Sequence, residues 1–332
     1  MIALVTGGGG FLGRRIVELL RERGDDVRVL ARGSYPALVE LGCECHQGDL
    51  RTPQDVAKAV AGVDVVFHVA AMAAMWGDRE QIFGINVDGT RNLLSAAQNA
   101  GVQRFVYTSS PSVVYDMKDL CGVDESQPYP RKFSAVYPES KAVAEQEALA
   151  ANAANFATCA LRPHLIWGPR DTHIVPMLVQ RARAGKLSQV GAGTNLVDVS
   201  YVDNAALAHL QAADALAPGS VVAGNPYFIG DEAPVNLWGW VRSLLERLGE
   251  PGPSRVISYP AARAIATGFE CLYRLLPLSG EPLLTRFTAA QFATSHYFSH
   301  EAAGRDFGYQ PTISNEEGLR RTVQWFAAHP VS

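Results

Sequence analysis

Apolar residues in the first half of the chain fall into short runs separated by stretches with helical spacing. Residues 2–5, 27–30, 43–46, 63–69 and 104–108 read as strands. Most of these runs are continuous rather than alternating, as strands covered on both faces require. Between the first two, residues 11–23 place Leu12, Ile16, Leu19 and Leu20 on one helical face. Thr52-Pro53-Gln54-Asp55 combines a cap, an early proline and an early acid, and marks a helix start. A further helix begins near Pro138, and a strand follows at residues 156–161. This βαβ rhythm predicts an α/β fold built on a Rossmann-type, doubly wound parallel sheet.

Past about residue 170 the rhythm changes. Helices are expected at residues 175–184, 204–215, 235–248 and 315–327, set among stretches rich in proline and glycine. They predict a smaller C-terminal substrate-binding lobe, residues 171–332, over the carboxyl edge of the sheet. Some of its elements are expected to return to the first domain, residues 1–170. The longest stretch without Asp, Glu, Lys or Arg is residues 215–230 and contains Pro218 and Pro226. It is shorter than the roughly 20 apolar residues a spanning helix needs, so no transmembrane segment is expected. The opening MIALVTGGGG runs straight into a strand and carries no secretory signal pattern.

Composition narrows the picture further. With 332 residues, 48% hydrophobic and 19% charged, the chain can build a sizeable core and is not globally disordered. A net charge of -4 argues against nucleic acid as the main partner. Five cysteines without a CxxC pair do not form a disulfide framework and fit a reducing cytoplasm. Cys43 and Cys45 alternate on a strand and are expected to pack in the sheet, and no metal site is expected.

The first strand leads into Thr6-Gly7-Gly8-Gly9-Gly10-Phe11-Leu12-Gly13 and then a helix. Gly7, Gly10 and Gly13 form GxxGxxG between strand and helix, where glycines allow a tight turn and close approach of a pyrophosphate to the helix N-terminus. The second strand ends at Arg32-Gly33-Ser34, where an NAD site usually carries an acid on the ribose 2′-hydroxyl. Arg32 suits a 2′-phosphate instead, with Ser34 as a second donor, and this favours NADP(H) while leaving NAD(H) open. Asp49 and Leu50 follow the third strand. They either meet the adenine, as acceptor and packing surface, or belong to the turn before Thr52.

Strand 104–108 ends in Ser109-Ser110, and Tyr137-Pro138-Glu139-Ser140-Lys141 opens a helix. Lys141 lies one turn beyond Tyr137 on the same face. A nearby ammonium is expected to lower the phenol from about 10 towards neutral, making Tyr137 a proton donor to a carbonyl under reduction. Ser110 is placed to hold the same oxygen, with Ser109 and Ser112 as alternatives. His164 and His173 stand near the same end of the sheet; His164 reads better as a satisfied structural residue. Arg170 and Arg181 are candidates for a substrate carboxylate or plain surface charges. Residues 259–298, rich in Leu, Phe, Tyr and Ala, read as lobe core with an apolar tunnel, or else as a dimer face or membrane-surface patch.

In order along the chain, TGGGGFLG, Asn86 within INVDGTRNLL, YTSSPSVVY, YPESK, LRPHLIWGP and YVDNAALAH resemble the extended short-chain dehydrogenase/reductases. The resemblance covers nearly the whole chain and is strongest to the branch of 3β-hydroxysteroid and sterol-4-carboxylate dehydrogenases. RGSYPAL, GEPLLTRF and RDFGYQP resemble the bacterial 2-alkyl-3-oxoalkanoate reductases of long-chain olefin biosynthesis within it. The resemblance implies an NAD(P)-dependent oxidoreductase with Ser110, Tyr137 and Lys141 as catalytic residues. It also implies support from Asn86 and contact of Pro163 with the nicotinamide. The implied reaction is reduction of the 3-keto group of long-chain 2-alkyl-3-oxoalkanoates, with a sterol dehydrogenase as the near rival and a non-catalytic dinucleotide sensor as the distant one. The implied partners are a hydrophobic small molecule and either a second copy of the chain or other enzymes of the pathway.

Overall fold

A computed structural model of the chain describes every residue except 277, 279 and 332. In chain order the first half comprises β1 (Ile2–Thr6), α1 (Phe11–Glu22), β2 (Asp26–Ala31), α2 (Pro36–Glu40), β3 (Glu44–Gln47), α3 (Pro53–Val60), β4 (Val65–His68), α4 (Arg79–Phe83), α5 (Gly89–Asn99), β5 (Arg104–Thr108), β6 (Leu120–Val123), α6 (Val136–Ala150) and β7 (Ala157–Pro163). A π-helical turn, Gly84–Asp88, joins α4 to α5, and a 3-10 turn, Pro111–Val114, follows β5. The second half comprises β8 (Ile166–Trp167), α7 (Ile174–Arg183), β9 (Ser188–Val190), β10 (Leu196–Val197), β11 (Ser200–Tyr201), α8 (Val202–Ala215), β12 (Pro226–Ile229), β13 (Val235–Asn236), α9 (Leu237–Arg247), β14 (Arg255–Ile257), α10 (Tyr259–Leu275), α11 (Arg286–Ala293), β15 (His296–Phe298), α12 (Glu301–Phe307) and α13 (Asn315–Ala328).

Seven parallel strands form the main sheet in the order β12-β7-β5-β4-β1-β2-β3. The order reverses between β1 and β4, which opens a crevice at their carboxyl ends. Register aligns Thr6 with His68, and His68 with Tyr107, along the floor of that crevice. One face is covered by α1 and α8, where Ile16, Val17 and Leu20 meet Ala205, Ala208 and Ala212. The alanines let the two helices lie close. The other face is covered by α3, α5 and α6 through Val56, Leu93 and Ala144. A separate core of Trp167, Leu178, Trp238, Trp240 and Leu244 holds the lobe beyond the sheet.

Several sequence expectations change here. Helix 235–248 begins two residues later, because Val235–Asn236 pairs antiparallel with β10 and the Asn236 side chain accepts from Gly239 N to start α9. β12 adds a seventh strand beside β7 and α8 covers one face of the sheet, in line with the expectation that some late elements return to the first domain. Cys43 is buried, but Cys45, on the edge strand β3 that pairs only with β2, is exposed. Residues 259–298, of which 277 and 279 lie outside the described residues, contain α10, α11 and β15. The 17-residue α10 buries only Ala262, Ala266 and Glu270, and Glu270 takes the Arg286 guanidinium at 2.8 Å. Among the described residues no helix is long and apolar enough to cross a membrane.

Candidate active site

The turn after β1 is built for close approach. Gly7 has φ +70°, and a Cβ on Gly13 would lie 2.3 Å from the Gly7 carbonyl oxygen, so the first turn of α1 rests directly on the loop. Gly10 N–H donates to Gly7 O at 2.8 Å, and Gly10 begins α1 with no side chain capping its first amides. Those amides, with the positive helix end, suit a pyrophosphate. Phe11 borders a groove of about 650 Å³ shared with Gly9, Gly10 and Trp325. Leu12 is buried in the core, and the Thr6 hydroxyl accepts from Ala70 N and bonds His68 Nδ1, so both support the loop from below.

Arg32 and Ser34 are exposed at the end of β2, and the Arg32 guanidinium makes no hydrogen bond or ion pair among the described residues. Asp49 accepts from Arg51 N at 2.9 Å and from its guanidinium at 3.0 and 2.7 Å. The Arg51 pairing, with Arg32 further off, holds the Asp49 carboxyl below its usual range. The structure therefore places Asp49 in a local ion pair rather than as a free acceptor. Leu50 is buried beneath Gly89, where a Cβ would stand 2.9 Å from the Leu50 Cβ. It is a core residue of the α3–α5 face, not an open platform.

At the other side of the crevice, α6 begins at Val136 and Pro138 is its third residue, where the missing N–H has no partner in the helix anyway. Tyr137 is half-buried. Burial raises its phenol to about 12, against a lowering hydrogen bond from Ser110. Lys141 is 2% exposed; its Nζ donates to Thr108 O at 2.6 Å and lies 4.2 Å from the Tyr107 ring centroid. Burial draws the ammonium down to about 7, and Glu145 opposes that shift. The expected lowering of Tyr137 by Lys141 is thus corrected for the chain by itself. Loss of water dominates at both groups and moves each towards its neutral form.

Ser110 Oγ accepts from Ser112 N at 3.2 Å and Ser112 Oγ at 3.0 Å. That leaves the Ser110 proton directed elsewhere, on the side where Tyr137 stands. The Ser109 hydroxyl is buried and has no hydrogen-bond partner among the described residues. Asn86, in the π-helical turn, accepts from Met72 N at 2.7 Å and donates to Met72 O and to Ser140 Oγ at 3.1 and 2.9 Å. Ser140 in turn donates to Tyr137 O. Asn86 therefore ties the loop after β4 to the first turn of α6.

Sequence reasoning missed the layer beneath these residues. His68 bridges Thr6 Oγ1 at 2.7 Å and Thr90 Oγ1 at 2.8 Å, and Thr90 donates to Asn86 O at 2.6 Å. Thr90 has one proton, already directed at Asn86, so it accepts from His68 Nε2–H and leaves Nδ1 to accept from Thr6. Burial, with Lys141 nearby, draws His68 down to about 3 and keeps it neutral. His209 similarly bonds Thr108 Oγ1 at 2.9 Å from α8, steadying the residue that holds Lys141. Glu145, one turn past Lys141, takes Arg162 in two hydrogen bonds of 2.9 and 2.6 Å and accepts from Tyr129 OH at 2.6 Å. The Lys141-to-Glu145 spacing was the available signal for that last group.

Pro163 ends β7 beside Ile229. His164 and His296 share a buried hydrogen bond of 2.7 Å. The His173 backbone N–H donates to Asp171 Oδ1 at 2.7 Å before α7. Arg170 pairs with Glu18 and lies 5.1 Å over Trp325, and Arg181 donates to Leu283 O. An apolar cluster of Val113, Tyr115, Phe228 and Phe287, with Tyr129 and Phe133 at its margin, adjoins the Ser110 turn and α6.

The model of the 3-beta hydroxysteroid dehydrogenase/isomerase family matches residues 4–260. A 2-alkyl-3-oxoalkanoate reductase of Stenotrophomonas maltophilia is 49% identical over 97% of this chain and 98% of its own length. A 3 beta-hydroxysteroid dehydrogenase/Delta 5→4-isomerase of Mycobacterium tuberculosis is 38% identical over 98% of this chain and 90% of its own. Among solved structures, gox2253 superposes with a TM-score of 0.81 at 29% identity over 99% of both chains. A dTDP-glucose 4,6-dehydratase of Streptomyces venezuelae, solved with NAD, gives 0.77 at 24% identity over 100% of both.

Proposed function

The chain belongs to the 3-beta hydroxysteroid dehydrogenase/isomerase family, and we propose that it reduces the 3-keto group of 2-alkyl-3-oxoalkanoates with NADPH. It is an NAD(P)-dependent oxidoreductase, and the reductases that carry this activity in their names are 43% and 49% identical to it. The observation that carries the reading is Tyr137 beside the Ser110 hydroxyl and one turn of α6 before a buried Lys141, next to an apolar cluster at the reversal point of the sheet.

The residues fit the coenzyme: a cradle that a Cβ on Gly13 would fill, uncapped α1 amides, and a lysine whose only hydrogen-bond partner among the described residues is Thr108 O. Bound there, a reduced nicotinamide supplies hydride to C3 of the keto acid. Ser110 holds the carbonyl oxygen. Tyr137 keeps its proton at neutral pH, since its phenol sits near 12, and gives it to that oxygen. Lys141 and Ser110 then steady the phenolate by charge and hydrogen bonding. Arg32 and Ser34 grip the 2′-phosphate. The lobe of residues 171–332, with the apolar cluster, receives the alkyl chains.

Two results are expected. In Arg32→Ala the ratio of kcat/KM for NADPH to that for NADH falls about tenfold or more, as loss of a charged hydrogen bond predicts; an unchanged ratio contradicts the assignment. The pH dependence follows from Lys141, which is charged below about 7 and neutral above it. The kcat/KM for NADPH in reduction therefore falls as pH rises through about 7, while Tyr137 imposes no limb below about 12. A profile flat from pH 6 to roughly 9 contradicts that role.

The function itself is tested by following NADPH consumption with 2-alkyl-3-oxo acids and with 3-ketosteroids. Preferred turnover of the oxo acids supports the proposal. Preferred turnover of the steroids assigns a steroid dehydrogenase, and binding without turnover of either assigns a sensor.

A further inference from the structure

We infer that Tyr35 is a coenzyme-specificity residue, its ring seated on Gly9 and its hydroxyl aimed with Arg32 and Ser34 at the 2′-phosphate of NADPH. This rests on the NADPH reading above and adds to it a residue that neither the glycine motif nor the Arg32 argument names.

The geometry begins at Gly9. A Cβ there would stand 2.2 Å from both Cε1 and Cζ of Tyr35 and 2.5 Å from its Cδ1. The ring therefore lies directly against the Gly9 backbone, a contact that any side chain at residue 9 would prevent. A Cβ on Gly33 would stand 3.3 Å from both Cζ and Oη of the same ring. The phenol oxygen is thus held between the cradle on one side and the Arg32–Ser34 turn on the other.

That position is fixed by neighbouring structure. Tyr35 precedes Pro36, the first residue of α2, and its carbonyl accepts from Leu38 N at 2.9 Å. Leu38 is 1% exposed, so the backbone of Tyr35 is anchored to the core. Part of the ring packs against the cluster containing Leu12 and Val29. The ends of β1 and β2 are joined by Gly7 N donating to Leu30 O at 3.2 Å, which sets the cradle and the Arg32 turn side by side.

In a dinucleotide fold the adenosine ribose spans this interval, from the pyrophosphate at the helix start to the end of the second strand. The Tyr35 hydroxyl makes no hydrogen bond among the described residues. It is a free donor in the place where NADPH differs from NADH, and its hydrogen bond to a phosphate oxygen is charge-assisted. A 2′-hydroxyl offers no such charge, so the gain falls on NADPH.

The test is steady-state kinetics with both coenzymes in wild type, Tyr35→Phe and Gly9→Ala. Removing the hydroxyl is expected to lower the NADPH-to-NADH ratio of kcat/KM about tenfold, carried by KM for NADPH. Gly9→Ala pushes the ring aside and is expected to lower the ratio in the same direction. A Tyr35→Phe ratio within twofold of a wild type that prefers NADPH overturns the role of Tyr35 alone. A wild type without NADPH preference overturns both this assignment and the Arg32 reading. Melting temperatures of both variants confirm that the comparison is made on folded protein.

Discussion

Tyr137→Phe is expected to lower kcat for keto-acid reduction by about 10²–10⁴ while coenzyme still binds, because only the proton donor is removed. The substitution keeps the ring, the first turn of α6 and the Ser140–Asn86 tie that runs through the Tyr137 carbonyl. Lys141 keeps its bond to Thr108 O. A loss confined to kcat, with coenzyme titration by nucleotide fluorescence unchanged, fits a donor acting in the transition state. Turnover at the wild-type rate would refute the role. Loss of coenzyme binding would make Tyr137 a structural residue instead.

Glu145→Gln is expected to cost about 3–5 kcal/mol of folding stability, because it strips the counter-charge from a buried guanidinium. Glu145 is 0% and Arg162 2% exposed by side chain, and one Arg162 nitrogen, Nη1, already lacks a hydrogen-bond partner among the described residues. With Glu145 neutral, that cation keeps the more distant charge of Glu125 and the Phe228 and Tyr129 rings, 5.0 and 5.8 Å from Cζ, but loses its paired carboxylate. Urea unfolding measures the loss. Replacing Glu145 and Arg162 together by methionine is expected to recover most of it, since the pair is worth little against apolar residues of similar size. The same carboxylate favours the charged form of Lys141, so Glu145→Gln also shifts the pH limb of kcat/KM to lower pH. A stable variant with an unmoved limb would show that the pair is peripheral to the site.

The strands β1 to β5 were legible because their cores are short apolar runs bounded by turns, and GxxGxxG falls between the first strand and helix. Tyr137 and Lys141 were legible because helix spacing alone puts them on one face. Their acid–base balance was not. Spacing reports that the two are close, whereas the loss of water that moves them to about 12 and about 7 depends on what packs around them. The His68 chain was invisible for a different reason. Thr6 and His68 are 62 residues apart, and His68 and Thr90 are 22 apart, so only parallel register and the π-helical turn bring them together. α10 escaped notice because its buried stripe is Ala262, Ala266 and Glu270, which gives almost no apolar period. The burial of Leu50 was not legible, because it depends on the glycine at residue 89 letting α5 close over it.

The most direct test of the account is a single turnover with NADPH carrying deuterium at the transferable C4 position and a 2-alkyl-3-oxo acid. The result expected is a 2-alkyl-3-hydroxy acid with one deuterium at C3, formed by wild type and not by Tyr137→Phe at equal occupancy of coenzyme. Unlabelled product, or equal labelling by the variant, would contradict it.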